Sequence, residues 1–307
     1  MVVASATAGT FRQCGSCGAT VELEPSSADG ALLSTTCAYC GSQLVDAARG
    51  GVAIDLVAPF RIPRSAAEDR LRSHLAGRWW IDAKLRAAAK SGQVQPETLR
   101  GVLIPFFAYT ASVRAAYRAR IGLHWYREED VQHNGKTETK RIQETEWFDL
   151  RGSAVDELED YLVEASVGLK PEEARRLLPF DLGFAHPFDS RLLAGWQAEL
   201  PSRSRAEVDR SARQSIWDHE QQRLRNRLLP GDRCRVKHFD CDIDIHGVKL
   251  ALLPVWIASI RHGDRIYRLL VHGQDGRCFG EAPLAKGRIA FAIVTGLLLI
   301  GLLVWFW

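Results

Sequence analysis

The chain has 307 residues, 46% of them hydrophobic and 25% charged, which excludes a disordered or collagen-like polymer. Basic and acidic side chains number 40 and 37, so the overall electrostatic footprint of a nucleic-acid coat is excluded and any polyanion binding has to be local. Seven cysteines, four in two tight pairs and three scattered at Cys234, Cys241 and Cys278, are poor arithmetic for a disulfide framework and point to a reducing compartment.

The first residues, Met1-Val-Val-Ala-Ser5, have no basic run leading into an apolar stretch, so no secretory signal is expected and the chain should begin in the cytoplasm. Cys14-Gly-Ser-Cys17-Gly18 and Cys37-Ala-Tyr-Cys40-Gly41 follow. Two such knuckles supply four thiolates in the tetrahedral set that a closed structural zinc site takes, and each carries a glycine where the backbone turns around the metal. Between them, Val21-Glu-Leu-Glu24 and Leu32-Leu-Ser-Thr-Thr36 read as short strands. Residues 1–46 are therefore expected to be a zinc ribbon holding one structural ion at Cys14, Cys17, Cys37 and Cys40. All four coordination positions are then filled, which leaves none for catalysis; iron takes the same cage, so the choice between zinc and iron stays open.

Residues 47–51, Ala-Ala-Arg-Gly-Gly, read as a linker to a body spanning 52–286. Capping boxes at Ser65-Ala-Ala-Glu68 and Ser204-Arg-Ala-Glu207 predict two helices, the first with Leu71, Leu75 and Trp79 on one face and the second ending at Pro230-Gly231. Strands are expected over 101–109, 113–126, 141–150, 233–246, 249–260 and 265–272, giving an α+β body. Leu103-Ile-Pro105-Phe-Phe107 and Leu252-Leu-Pro254-Val-Trp256 match in pattern, and each lies downstream of a Pro-Phe-x-aliphatic element, Pro59-Phe-Arg-Ile62 or Pro179-Phe-Asp-Leu182. The match suggests two related halves, and a proline inside an apolar strand argues for an edge or a bulge in both.

Within the body the chemical motifs are thin. Gly135-Lys136-Thr137 is a phosphate-loop fragment, but Asp130 stands where the pattern needs glycine, and Asn134-Gly135 is the favoured dipeptide of a hairpin turn. His238, Asp240, Asp242, Asp244 and His246 alternate with Phe239, Cys241, Ile243 and Ile245; a half-buried strand explains that, and the row is too long for one ion. The arginines after Ser204 are interrupted by Glu207, Asp209, Asp218 and Glu220, as on a solvated, salt-bridged helix face. No Gly-x-Ser-x-Gly, His-Glu-x-x-His or dinucleotide glycine fingerprint is present, so no enzyme is expected.

Residues 289–307 carry no charge, and a helix of that length reaches ~28 Å, close to a hydrocarbon core. With Lys286 and Arg288 before it and Trp305, Phe306 and Trp307 closing it, the segment reads as a single C-terminal transmembrane helix that leaves the N-terminal domain in the cytoplasm.

The Cys-x-x-Cys-Gly pairs, Pro59-Phe60, Trp79-Trp80, Gly101-Val-Leu-Ile-Pro-Phe-Phe-Ala-Tyr109, Leu193-Ala-Gly-Trp196, Leu253-Pro-Val-Trp-Ile257, Leu270-Val-His-Gly-Gln-Asp-Gly-Arg277 and Gly280-Glu-Ala-Pro283 carry a resemblance that runs almost end to end. On them the chain resembles the bacterial TFIIB-type zinc-ribbon membrane proteins, often labelled primosomal or superfamily II helicase-like, some of them associated with phage-shock type membrane-stress scaffolds. One departure is His272, where the family pattern has asparagine. The resemblance and the residues together lead to a tail-anchored scaffold or adaptor that recruits protein partners to the cytoplasmic face of the bilayer. A nucleic-acid-binding replication or transcription accessory protein is the alternative, and it is disfavoured because 14–40 holds three acidic residues and no basic one.

Overall fold

The computed structural model describes residues 10–13, 20–23, 34–36, 43–45, 53–93, 98–133, 136–193 and 195–285, with positions 290, 294–296, 300 and 301 beyond them. In chain order these form β1 (Thr10–Gln13), β2 (Thr20–Leu23), β3 (Ser34–Thr36), β4 (Gln43–Val45), β5 (Leu56–Val57), α1 (Arg64–Gly77), α2 (Ala83–Lys90), β6 (Thr98–His133), β7 (Lys136–Glu164), α3 (Pro171–Leu177), β8 (His186–Pro187), β9 (Gln197–Ala198), α4 (Arg205–Arg223), β10 (Arg233–His262), β11 (Arg265–His272) and β12 (Cys278–Gly280). An eight-stranded mixed sheet dominates, with β12-β11-β10-β5-β8 in order and β6 pairing with β10, β7 and β9.

This corrects the expected fold. The α+β body with a zinc ribbon and a transmembrane helix is replaced by a sheet-rich chain with few helices, because stretches read as separate strands are continuous: 101–109 and 113–126 lie in β6, and 233–246 and 249–260 in β10. The N-terminal strands form two separate two-stranded sheets, β1 with β2 and β3 with β4. Among the described residues no group of three or more His, Cys, Asp or Glu stands together as a metal site; Cys14, Cys17, Cys37 and Cys40 lie outside those residues. The membrane placement is corrected as well. A span needs about 20 apolar residues in one helix, and among the described residues no helix is long and apolar enough to cross a membrane. Of residues 289–307, positions 290, 294–296, 300 and 301 are described, all of them helical, and the rest lie outside the described residues.

The body is two compact units rather than one. The first gathers residues up to Phe107 with Glu164–Arg203 and Lys249–Trp307; the second gathers Ala108–Val163 with Ser204–Val248.

In the first unit α1 buries Ala67, Leu71 and Leu75, spaced four residues apart, and α2 buries Leu85 and Ala89; both pack with Trp256, Ala258, Ile260, Leu269 and Val271 of β10 and β11. Trp79, expected on the buried face of α1, lies beyond the helix and is 48% exposed. The predicted capping box at Ser65 does not form: α1 begins at Arg64 behind Pro63, so Ser65 is already inside the first turn and Glu68 turns to Arg64 and Arg72. Asp82 does cap α2, its Oδ1 accepting from the Lys84 and Leu85 amides.

The internal repeat is visible as geometry here. Leu103 of β6 pairs in parallel with Ala198 of β9, and Leu252 of β10 pairs in parallel with Val57 of β5. Pro105 accepts from the Ala165 amide at 3.0 Å and Pro254 from the Gly273 amide at 2.9 Å. Contrary to the edge expectation, both prolines are buried. Pro254 falls between the residues of β10 paired with β5 and those paired with β11, so neither register uses the N–H it lacks.

In the second unit the Ser204 box forms as predicted, with the Ser204 amide donating to Glu207 at 2.8 Å and the Glu207 amide to Ser204 Oγ at 3.4 Å. It starts α4, which buries Val208, Ala212, Ile216 and Glu220 at four-residue spacing. The buried Glu220 carboxylate is met by Arg223 at 2.9 Å, which also reaches Asp156 at 3.1 Å. Tyr109, fully buried, donates to Asp209 at 2.7 Å.

Candidate interaction face

In the second unit, β6, β7 and β10 alternate side chains between two faces. Ala119 and Ile121 of β6, Leu150 of β7 and Cys234 and Val236 of β10 gather with Leu224 and Leu229 beyond α4 in one apolar cluster. Alternation therefore sends Arg120 and Gly122, Trp147 and Asp149, and Arg233, Arg235 and Lys237 to the opposite face.

Trp147 is the centre of that face. The Arg235 guanidinium lies 4.4 Å from its ring centroid and that of Arg120 5.8 Å. Gly122 makes room: a Cβ there would stand 2.7 Å from Thr145 Cγ2 and 3.4 Å from both the Trp147 ring and Arg233 Cβ. Asp149 is approached by Arg120 at 3.6 Å and Lys237 at 3.5 Å, one carboxylate shared by two cations. A second cation–ring pair on the same side of the strands is Arg141 over exposed Tyr126 at 4.8 Å, while the exposed Leu123, Trp125 and Phe148 fall on the opposite side by the same alternation. Aromatic rings braced against arginines are the composition of protein interfaces, where Trp, Tyr and Arg supply most of the binding energy.

The other predicted residues fall as follows. His238, Asp240, Asp242, Asp244 and His246 are exposed and their neighbours half-buried, as read from the alternation. The arginines of α4 are engaged: Arg205 with Asp209 at 2.6 Å, Arg213 with the Ile243 carbonyl at 2.8 Å, and Arg223 as described. Cys241 and Cys278 are half-buried thiols pushed up to about 11 and about 12, in both cases chiefly by burial, so neither supplies a thiolate nucleophile at neutral pH. Asn134 and Gly135 lie outside the described residues, while Lys136 and Thr137 begin β7.

His272, in the first unit, acquires a role that its place in the motif did not suggest. Its Nδ1 accepts from the Gln274 and Asp275 amides, both at 3.2 Å, and its ring stacks on Phe180 at 4.0 Å. Nε2, left to carry the hydrogen, closes no regular hydrogen bond, its one favourable neighbour being the Pro179 carbonyl. An asparagine Oδ1 accepts from the amide two residues on in the same way. Burial holds the ring neutral, lowering its pKa to about 4 against the pull of Asp275, which at 3.1 Å is therefore a polar neighbour and not an ion-pair partner at neutral pH. His74, also buried and beside Arg78, is likewise lowered to about 4.

These depressed values give a signed prediction. Both rings stabilise the fold above pH 6.5, and that contribution is lost as pH falls towards about 4. His272→Asn keeps the acceptor and is expected to cost under ~1.5 kcal/mol while flattening the acid limb of stability between pH 6 and 4; His272→Leu orphans two amides and should cost about 1–3 kcal/mol by urea titration.

No family model matches the chain, and no solved structure matches it. The chain is similar to the uncharacterised protein YdjG of Bacillus subtilis (strain 168), 26% identical over 255 residues that make up 80% of this chain and 69% of that protein.

Proposed function

We propose that the chain is a non-enzymatic adaptor whose second unit binds an acidic protein segment across the Trp147 face. The observation that carries this reading is the gathering of the Arg120 and Arg235 guanidiniums at the Trp147 ring, on the side of the strands that also carries exposed Tyr126 with Arg141. Guanidiniums braced on a ring lose little freedom when they form two parallel hydrogen bonds to a carboxylate. With the Arg235 guanidinium over its ring, Trp147 has less ring surface on which a base could stack, which favours an acidic peptide over single-stranded nucleic acid.

The test uses the full chain and fluorescence anisotropy, with a labelled Glu/Asp-rich peptide containing one aromatic residue and an oligonucleotide of equal charge. The peptide is expected to bind and Arg120→Ala/Arg235→Ala to weaken it by tenfold or more. Tighter binding of the oligonucleotide, or no effect of the double substitution, overturns the reading.

We further propose that Cys14, Cys17, Cys37 and Cys40 hold one zinc ion. Gln13 pairs with Thr20 and Thr36 with Gln43, so each Cys-x-x-Cys falls in a six-residue connection closed by an antiparallel pair. That closure suits four thiolates converging on one ion. Bound there, zinc would supply folding energy and no reaction step.

A further inference from the structure

The first unit carries a cleft of about 480 Å³ lined by Arg78 after α1, Arg176 of α3 and Arg265 of β11, with Trp80, Tyr267 and Phe279 as its aromatic walls. We propose that this cleft binds an organic phosphate, the phosphoryl group held by the three arginines and the apolar part lying against the aromatic walls.

The argument starts from charge balance. Several arginines of this chain are neutralised by a carboxylate, as Arg72 is by Asp69 and Arg277 by Asp275. Among the described residues Arg78, Arg176 and Arg265 meet no carboxylate. The carboxylate in the cleft lining, Glu281, is already taken by Lys170 at 2.9 Å. Three like charges brought together from three separate elements repel one another by an amount that only an anion, salt or water relieves. Arg78 is also poised: its guanidinium lies 5.1 Å from the Trp80 ring centroid, which fixes the fork while leaving its N–H groups to donate.

Geometry chooses phosphate over carboxylate. A carboxylate presents two oxygens in one plane, whereas a phosphomonoester presents three around a tetrahedron, which suits donors arriving from three directions. His74, in the same lining, is held neutral chiefly by burial and secondarily by Arg78, so it adds no charge of its own. The aromatic walls add the selectivity: inorganic phosphate would leave the half-buried Trp80 and Tyr267 in contact with water, and a ligand with an apolar portion would cover them.

Calorimetry on the full chain tests this with four probes: inorganic phosphate, adenosine 5′-monophosphate, monomeric dihexanoyl phosphatidic acid, and adenosine without phosphate. One or both organic phosphates are expected to bind at least tenfold more tightly than inorganic phosphate, and adenosine not to bind. Binding of the nucleotide alone identifies a nucleotide as the source of the phosphoryl group, and binding of the lipid alone identifies a lipid. Arg176→Ala and Arg265→Ala, both at exposed positions, should each weaken binding tenfold or more, and Trp80→Ala should weaken the organic ligand but not inorganic phosphate. No binding by either organic phosphate, equal affinity for inorganic phosphate, or unchanged affinity in both arginine variants overturns the proposal. The Arg120→Ala/Arg235→Ala protein should bind these probes normally, which separates this site from the peptide-binding face.

Discussion

Alanine at Gly273 lowers the thermal midpoint of the protein by roughly 10 °C, corresponding to about 3 kcal/mol, when followed by circular dichroism. The reason is contact with backbone: a Cβ there would stand 2.5 Å from the Pro254 carbonyl oxygen, 2.6 Å from Pro254 Cβ and 2.8 Å from its carbonyl carbon. None of these atoms belongs to a flexible side chain. Nor can Gly273 move, because its amide donates to Pro254 and its carbonyl accepts from the Arg61 and Ile62 amides, all at 2.9 Å. Gly263 provides the contrast. It lies between β10 and β11 with φ +60° and has open space where its Cβ would go, so alanine there costs only the left-handed strain of about 1–2 kcal/mol. Equal midpoints for the two variants would show that the turn at Gly273 yields more than its hydrogen bonds allow.

Serine at Cys17 or Cys40 produces protein without zinc, read as close to zero metal per chain against one for the parent by plasma emission spectrometry. A structural zinc site in a short module contributes on the order of 10 kcal/mol of apparent binding energy, enough to decide whether the module folds at all. Since the ligands belong to residues 1–46, the thermal transition of the body should stay in place. Iron in the parent protein would revise the identity of the ion, and a parent without metal would remove the proposal.

The fold class was misread, and what was legible were single elements, because their signals are local. The alternation along 238–246 and the Ser204-to-Glu207 box each depend on residues within a few positions of one another, and both appear as read. The misreading at Ser65 is instructive: the same Ser-x-x-Glu spacing is present, but Pro63, already extended, supplies the helix boundary first.

The Trp147 face was not legible for a different reason. Arg120, Trp147 and Arg235 are brought together by the pairing of three strands, and no window of sequence contains all three. A signal did exist in the alternating Arg118 and Arg120, and Arg233, Arg235 and Lys237, each a basic stripe on one side of a strand. Only the register could show that these stripes flank one tryptophan. His272 was passed over because its acceptor role repeats what asparagine does, which a comparison of residue types hides.

The two short parallel partners of the long strands have a consequence for how the chain is made. β5 leaves the ribosome early, yet the residues that complete it come late: the Leu250 amide reaches Asp55 across 195 residues, and Trp256 donates to the Ile62 carbonyl across 194. Val57 finds its antiparallel partner only at His186 and its parallel one only at Leu252, and β6 waits likewise for Ala198. A nascent chain of this protein therefore carries open strand edges through most of its synthesis, closure comes only near the end, and any fragment that stops before Leu252 inherits those edges as a route to aggregation.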